Sequence, residues 1–387
     1  MHFSKDDLDR EFPSRRHGVQ FNHAAVAPLP ARAAEALARY AASLTGRAVL
    51  DWKEWGKEAD LLRERAARLI GADASVGGAR SVSVVPNTTS GLDYVASGLD
   101  WKPGDSIVTT QAEFPANLAP WLDLAHLGVE VRRIPTRDGA FTAEEVAAAC
   151  NPKTRLVSLS AVAFHTGFVA PTEAVGAFCR EQGILFGLDA IQAVGAVEVD
   201  VVRAKADFLS ADGHKWMLGP EGCGILFTTP AFRERLRAPS GWLNLKRTVA
   251  GDFRIGETID YVSDAVRFEV GALPMPGVHA LAASLELLLE IGMPMVRERI
   301  AEVLAVLQEG LPRLGWEPVL FGGPPRSGIL SARPPAGVDP RAVAAQLERQ
   351  GIAVTARAGF LRLSPHVGND VEEAERVLAA LRTGAEG

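Results

Sequence analysis

The chain has 387 residues, 47% apolar and 23% charged, a globular composition long enough for one large domain and a smaller one. Its net charge of −6 and pI near 5.8 provide no basic surface for nucleic acid or an anionic membrane, so neither is an expected partner. Nothing reads as a bilayer span or a signal peptide, and Cys150, Cys179 and Cys223 match no zinc spacing, so a cytoplasmic protein with free thiols and no bound metal is expected.

In chain order, the first 20 residues are too polar to form a core and read as an arm. "SVSVV" (81–85) reads as a strand and is followed by a helix from Thr88 to Ser97. "SIVTT" (106–110) precedes a second helical run, Ala116 to Leu127. "RLVSLS" (155–160) and "ILFGLD" (184–189) bracket "TEAVGAFCREQG", a helix stopped by Gly183. The strands "DFLSA" and "CGILF" follow. Continuous apolar strands alternating with helices predict an α/β fold around a mostly parallel sheet covered on both faces. Past Leu281 the pattern becomes long helices, then the short strands "GILSARP", "IAVTA" and "FLRLSP", and a closing helix from Val371 to Arg382. This predicts an arm at 1–20, a large domain at 21–280, and a smaller α+β domain at 281–387 that the arm completes.

Of the eight lysines, Lys215 is the odd one. It sits in "ADGHKWMLGPEGCGILF" (211–227), an apolar run in which only Asp212 and Glu221 carry other charges. Lysine is rarely buried, and desolvation favours its neutral amine, which can form an imine with an aldehyde. In parallel α/β sheets, ligands sit beyond the carboxyl ends of strands. Asp189 ends "ILFGL" there, three positions before Gln192, while Thr88 and Thr89 lie where a strand hands over to a helix. The two threonines suit a helix cap or a phosphate equally. A lysine, an aspartate for a ring nitrogen and a phosphate cradle are the binding parts of a pyridoxal phosphate (PLP) site.

The chain resembles the class V aminotransferase family of fold-type I PLP enzymes, the group of cysteine desulfurases, kynureninase and isopenicillin N epimerase. The likeness runs from "FNHAAVAPLP" (21–30) to "LRLSPHVGND" (361–370). It is strongest in "SADGHKWMLGPEGCGILF" and "LDAIQAVGAVEVDV". The resemblance implies that Lys215 holds the cofactor and shuttles the α-proton, that Asp189 pairs with the ring nitrogen, and that Gln192 bonds the ring 3-oxygen. Thr88 and Thr89 would hold the phosphate, with His214 and position 212 assisting. Phe114 in "AEFPANLAPW" stands where the desulfurases place a ring-stacked histidine; it can stack but cannot carry protons. Arg362 would fork onto the substrate α-carboxylate. Asn22, His23 and His165 complete the candidate substrate-binding set. A homodimer with active sites at its interface is implied as well.

Three departures from the family stand out. The stretch "IAVTARAGFLRLSP" has no cysteine before the arginine, which argues against a persulfide mechanism. Asp212 replaces a common phosphate-binding serine, and Ala272 replaces a threonine that reaches the partner subunit's phosphate. The resulting expectation is a PLP-dependent enzyme acting on a small α-amino acid, with transamination first. β-Elimination or C–S cleavage without a persulfide comes second and epimerisation third; a PLP-binding regulatory protein is the non-enzymatic alternative.

Overall fold

The computed structural model describes residues 4–246 and 258–383. Its first helix, α1 (Lys5–Glu11), opens on Ser4, whose hydroxyl accepts from Asp7 N while the Asp7 carboxylate accepts from Ser4 N. This reciprocal pair occupies donors that a helix start leaves free. Leu8 and Phe12 from this polar segment are buried in the main core, and Arg15 pairs with Asp370. The segment therefore has no core of its own, as expected, but it is more than a polar arm because it contributes two apolar anchors. Strand β1 (Val19–Gln20) then pairs in parallel with Ile352–Ala353. Helices α2 (Ala31–Gly46) and α3 (Trp52–Leu69) lead to the main sheet.

Strand β2 (Val82–Val85) runs into α4 (Thr88–Gly98), and β3 (Ser106–Thr110) into a broken helical segment whose longest piece is α5 (Ala119–Asp123). The continuous helix expected over 116–127 is divided into a 3-10 turn at Pro115–Asn117, α5, and a second 3-10 turn at Leu124–Leu127. Pro115 and Pro120 explain the division, since each lacks the N–H that a helix interior needs. The next strand, β4 (Glu130–Ile134), was missed because "EVRRI" is polar; it lies on the sheet edge, where one side needs no apolar cover. Then come α6 (Ala143–Ala149), β5 (Thr154–Ser160), α7 (Thr172–Gln182), β6 (Leu185–Asp189), β7 (Phe208–Asp212), β8 (Gly224–Thr228) and α8 (Pro230–Arg233).

The seven strands lie in the order β2-β8-β7-β6-β5-β3-β4. All neighbours are parallel except β8, which runs antiparallel to both β2 and β7. Side chains alternate between faces along a strand, and the two apolar clusters follow that alternation. Val84, Val108, Val157, Phe186, Leu209 and Ile225 belong to the main cluster, whereas Val85, Ile107, Leu156, Leu185, Phe208 and Leu226 belong to the second. Both faces are thus dry, as a mostly parallel sheet requires.

Helices α9 (Met275–Ile291) and α10 (Met293–Gly310) meet at Gly292. Beyond them lie β9 (Glu317–Pro318), β10 (Leu330–Arg333), α11 (Pro340–Arg349), β11 (Ile352–Ala353), β12 (Thr355–Arg357), β13 (Phe360–Leu363) and α12 (Val371–Thr383). Four of these strands form an antiparallel sheet in the order β12-β13-β10-β9. Among the described residues, no single helix is long and apolar enough to cross a membrane.

Candidate active site

The parallel register brings the carboxyl ends of the central strands level. Ser160 stands beside Asp189, and Asp189 beside Ser210. Helix α4 packs over β7 through Gly91, where a Cβ would lie 2.3 Å from Ser210 Oγ. This close approach places the first turn of α4 at the same sheet end. Asn87 caps the helix by accepting from Ser90 N at 2.9 Å, leaving the earlier N–H groups of the turn unbonded within the helix.

A cavity of about 320 Å³ opens at this point. Thr88, Thr89, Phe114, Gln192, Asp212, His214, Lys215 and Arg362 all line it, together with Phe164, Ile191 and Arg357. Lys215 is 8% exposed, and its amine lies 5.5 Å from the centre of the Phe114 ring. Burial lowers its pKa to about 8, against the opposing pull of Asp189. The loop after it is held by Leu218, a bulky residue at φ +58° whose N–H donates to Lys215 O at 3.0 Å. Such a conformation persists only when its surroundings enforce it.

Asp189 does not line the cavity; it lies beneath it, 2% exposed. One carboxylate oxygen accepts from Ile191 N at 3.1 Å, and the other is buried without a partner. Burial raises the Asp189 pKa to about 7. Gln192 is committed at both ends of its amide: Nε2 donates to Ala24 O at 3.0 Å, and Oε1 accepts from Trp216 Nε1 at 2.8 Å. One amide hydrogen remains available. Arg362 is 2% exposed. It donates from Nη1 to Phe164 O at 2.6 Å, and its buried Nε has no partner.

Asp212 is turned onto its own surroundings. Its Oδ1 accepts from Gly213 N at 2.7 Å, and Oδ2 stands 3.0 Å from His214 Nδ1, outside hydrogen-bond geometry.

Three expected substrate contacts are not in the cavity wall. His23 is buried, bonded through Nδ1 to Ser364 O at 3.1 Å and stacked on Trp216. Burial lowers its pKa to about 4. His165 packs against Phe164 and Phe360, and Asn22 forms a bridge with Ser364. In their place Ala24, Ala25 and Val26 line the cavity.

The profile of the Aminotransferase class-V family matches residues 19–368. The chain belongs to this family. It is 27% identical to a probable cysteine desulfurase of Pyrococcus abyssi, over 97% of this chain and 96% of that one. An apo cysteine desulfurase from Thermococcus onnurineus NA1 superposes with a TM-score of 0.89 at 25% identity, covering 100% of this chain and 99% of that one. The cystine C–S lyase C-DES, in complex with its product cysteine persulfide, gives 0.88 at 27% identity, covering 96% and 99%. The fold is that of the fold-type I enzymes.

As a class V fold, the site fits PLP on its own features. The unpartnered Asp189 oxygen is costly where it lies, and a protonated ring nitrogen would satisfy it. The desolvated Lys215 amine is disposed to condense with an aldehyde, and the start of α4 suits a phosphate.

Three neighbours of the site escaped the sequence reading. Glu113 is buried behind the wall, where it accepts from Thr110 Oγ1, Asn117 Nδ2 and Ser160; burial raises its pKa. A carboxylate three residues after the strand "SIVTT" was the available signal. Phe164 meets Phe114 edge-on at 5.2 Å. Arg357 precedes the turn at Ala358–Gly359 and is five residues from Arg362.

Proposed function

We propose that this class V protein is a PLP-dependent C–S lyase that eliminates a sulfur leaving group from a small α-amino acid without an enzyme persulfide. The observation carrying this reading is the composition of the wall around Lys215: Phe114, Phe164 and Ile191, with no thiol among the lining residues. The acids of that wall, Asp212, His214 and Lys215, cluster on the Lys215 segment. Sulfur leaves readily as an anion, since thiols are acidic to about pH 8.5, so it needs no further acid. Cys179 and Cys223 are buried; burial pushes the Cys179 thiol up to about 12 and the Cys223 thiol higher still. Cys150 is half-buried at the end of α6, away from the cavity.

Thr88, Thr89, Gln192, Asp189 and Lys215 would hold PLP, which would supply an electron sink for the substrate α-carbon. Arg362 receives the α-carboxylate and fixes which Cα bond faces Lys215. Once neutral, Lys215 removes the α-proton, and its low pKa keeps it able to do so near pH 8. Asp189 keeps its counter-charge against the ring nitrogen. Phe114 would stack on the cofactor ring from the cavity wall. Arg362 comes from the four-stranded sheet and Lys215 from the loop that follows β7 of the seven-stranded one, which supports a large and a smaller domain with the site between them, although the expected boundary at 280/281 falls inside the continuous helix α9. A homodimer is supported by the exposed apolar cluster Val49, Leu50 and Trp52 on the connection between α2 and α3.

The test is a panel of cysteine, cystine and other small amino acids incubated with PLP-loaded protein and no added 2-oxo acid. The reading expects a 2-oxo acid, ammonia and a sulfur product, and the Cys150→Ser, Cys179→Ala, Cys223→Ala triple variant should retain that turnover. Accumulation of pyridoxamine phosphate, with turnover only when a 2-oxo acid is supplied, would establish transamination instead.

A further inference from the structure

Arg357 and Arg362 lie on facing strands of one hairpin. Thr355 pairs with Arg362, and Arg357 with Phe360, so residues 355, 357, 360 and 362 share a face. Arg357 is therefore the diagonal neighbour of Arg362, and the residues of such a pair lie about 7–8 Å apart, within reach of long side chains. The turn between the strands is tight, with Ala358 at φ +50° and Gly359 at +85°, which fixes the register. Both arginines line the Lys215 cavity.

Two cations on one wall repel each other. Burial, with Arg357 adding to it, lowers the Arg362 pKa to about 9. No carboxylate among the described residues relieves this pair. Asp212, the one carboxylate lining the cavity, is held by Gly213 N and faces His214. The adjacent strand offers a contrast: Arg333 on β10 pairs with Asp138 and lies 5.0 Å over the Phe360 ring. Arg357 has no such pairing among the described residues, although it is exposed at the cavity mouth.

The α-carboxylate of an amino acid supplies one anion, and Arg362, the more deeply buried arginine, takes it. We infer that Arg357 recognises a second carboxylate on the substrate, carried on its side chain or beyond its sulfur. This deepens the lyase reading and rests on it for the placement of the α-carboxylate. The substrate class is then an anionic amino acid with two acid groups a short chain apart, and a neutral amino acid leaves one guanidinium unmatched.

The test uses PLP-loaded protein titrated with succinate, glutarate and butyrate, with binding read by calorimetry and by the shift of the visible cofactor band. The wild type should bind a dicarboxylate at least tenfold more tightly than butyrate. Arg357→Gln should abolish that preference while keeping its PLP content, and Arg357→Lys should recover part of it. Arg362→Gln should weaken all three ligands. An unchanged preference in Arg357→Gln would overturn the assignment, and so would loss of PLP, which would place Arg357 on the phosphate. A wild type that takes up no PLP would instead overturn the enzyme reading itself.

Discussion

Thr88 Oγ1 accepts a hydrogen bond from Asp212 N at 2.9 Å, joining the first turn of α4 to the end of β7. The hydroxyl accepts in this bond, so its own hydrogen is free to point into the cavity. One side chain thus fixes the distance between the phosphate end of the site and Lys215, three residues beyond Asp212. Thr88→Val removes both functions at nearly constant volume. A hydrogen bond to a charged group contributes about 1.5–3 kcal/mol, so PLP affinity should fall on the order of 10- to 100-fold. Thr88→Ser should stay close to the wild type. Fluorescence titration of apo protein with PLP measures both; equal affinity for Thr88→Val would remove Thr88 from the cradle.

Cofactor capture should depend on pH through Lys215. Only the neutral amine attacks an aldehyde, and burial brings its pKa to about 8 from an ordinary value near 10.4. The rate of PLP capture by apo protein should therefore rise with pH and level off just above 8. Stopped-flow absorbance between pH 6.5 and 9.5 follows it. A rate still climbing tenfold per pH unit at 9.5 would mean that the amine is not desolvated.

Acid should loosen the layer behind the site. His23 and His366 flank Trp216, and burial lowers their pKa values to about 4 and about 3. Above an unfolded pKa near 6.5, both states hold neutral imidazoles, and stability is unaffected. Below it the unfolded chain gains protons that the folded chain refuses, so stability falls as pH drops from 6.5 toward 4. Each pKa unit is worth about 1.4 kcal/mol, so the loss should reach several kcal/mol. Urea midpoints at pH 7, 6, 5 and 4 should show this fall, reduced in His23→Gln. A flat profile would mean that these rings are not buried neutral.

Much of the fold was legible because both sheet faces are dry. Continuous apolar strands such as "RLVSLS" could be read directly, whereas the edge strand β4 carries no such signature. The helix at 116–127 was misread because its apolar spacing hid the effect of Pro115 and Pro120. Within the site, the residues that reach the cavity were legible where a chemical type stood out, as for Lys215, Asp189 and Arg362. The histidines misled: His23 and His165 are polar letters near the right strands, yet each is buried behind the wall by its stacking partners. Arg357 was invisible for the opposite reason. It is one of many arginines, and only the hairpin register with Arg362 distinguishes it. Asp212, which stands where a phosphate-binding serine was expected, is turned onto its own segment, with one carboxylate oxygen accepting from Gly213 N and the other 3.0 Å from His214 Nδ1.

The most direct measurement is borohydride reduction of the PLP-loaded protein followed by peptide mass spectrometry. A pyridoxyl group is expected on Lys215 alone, with the visible band lost on reduction and absent from Lys215→Ala. A modified peptide bearing any of the other seven lysines, or no modified peptide at all, would contradict the central claim.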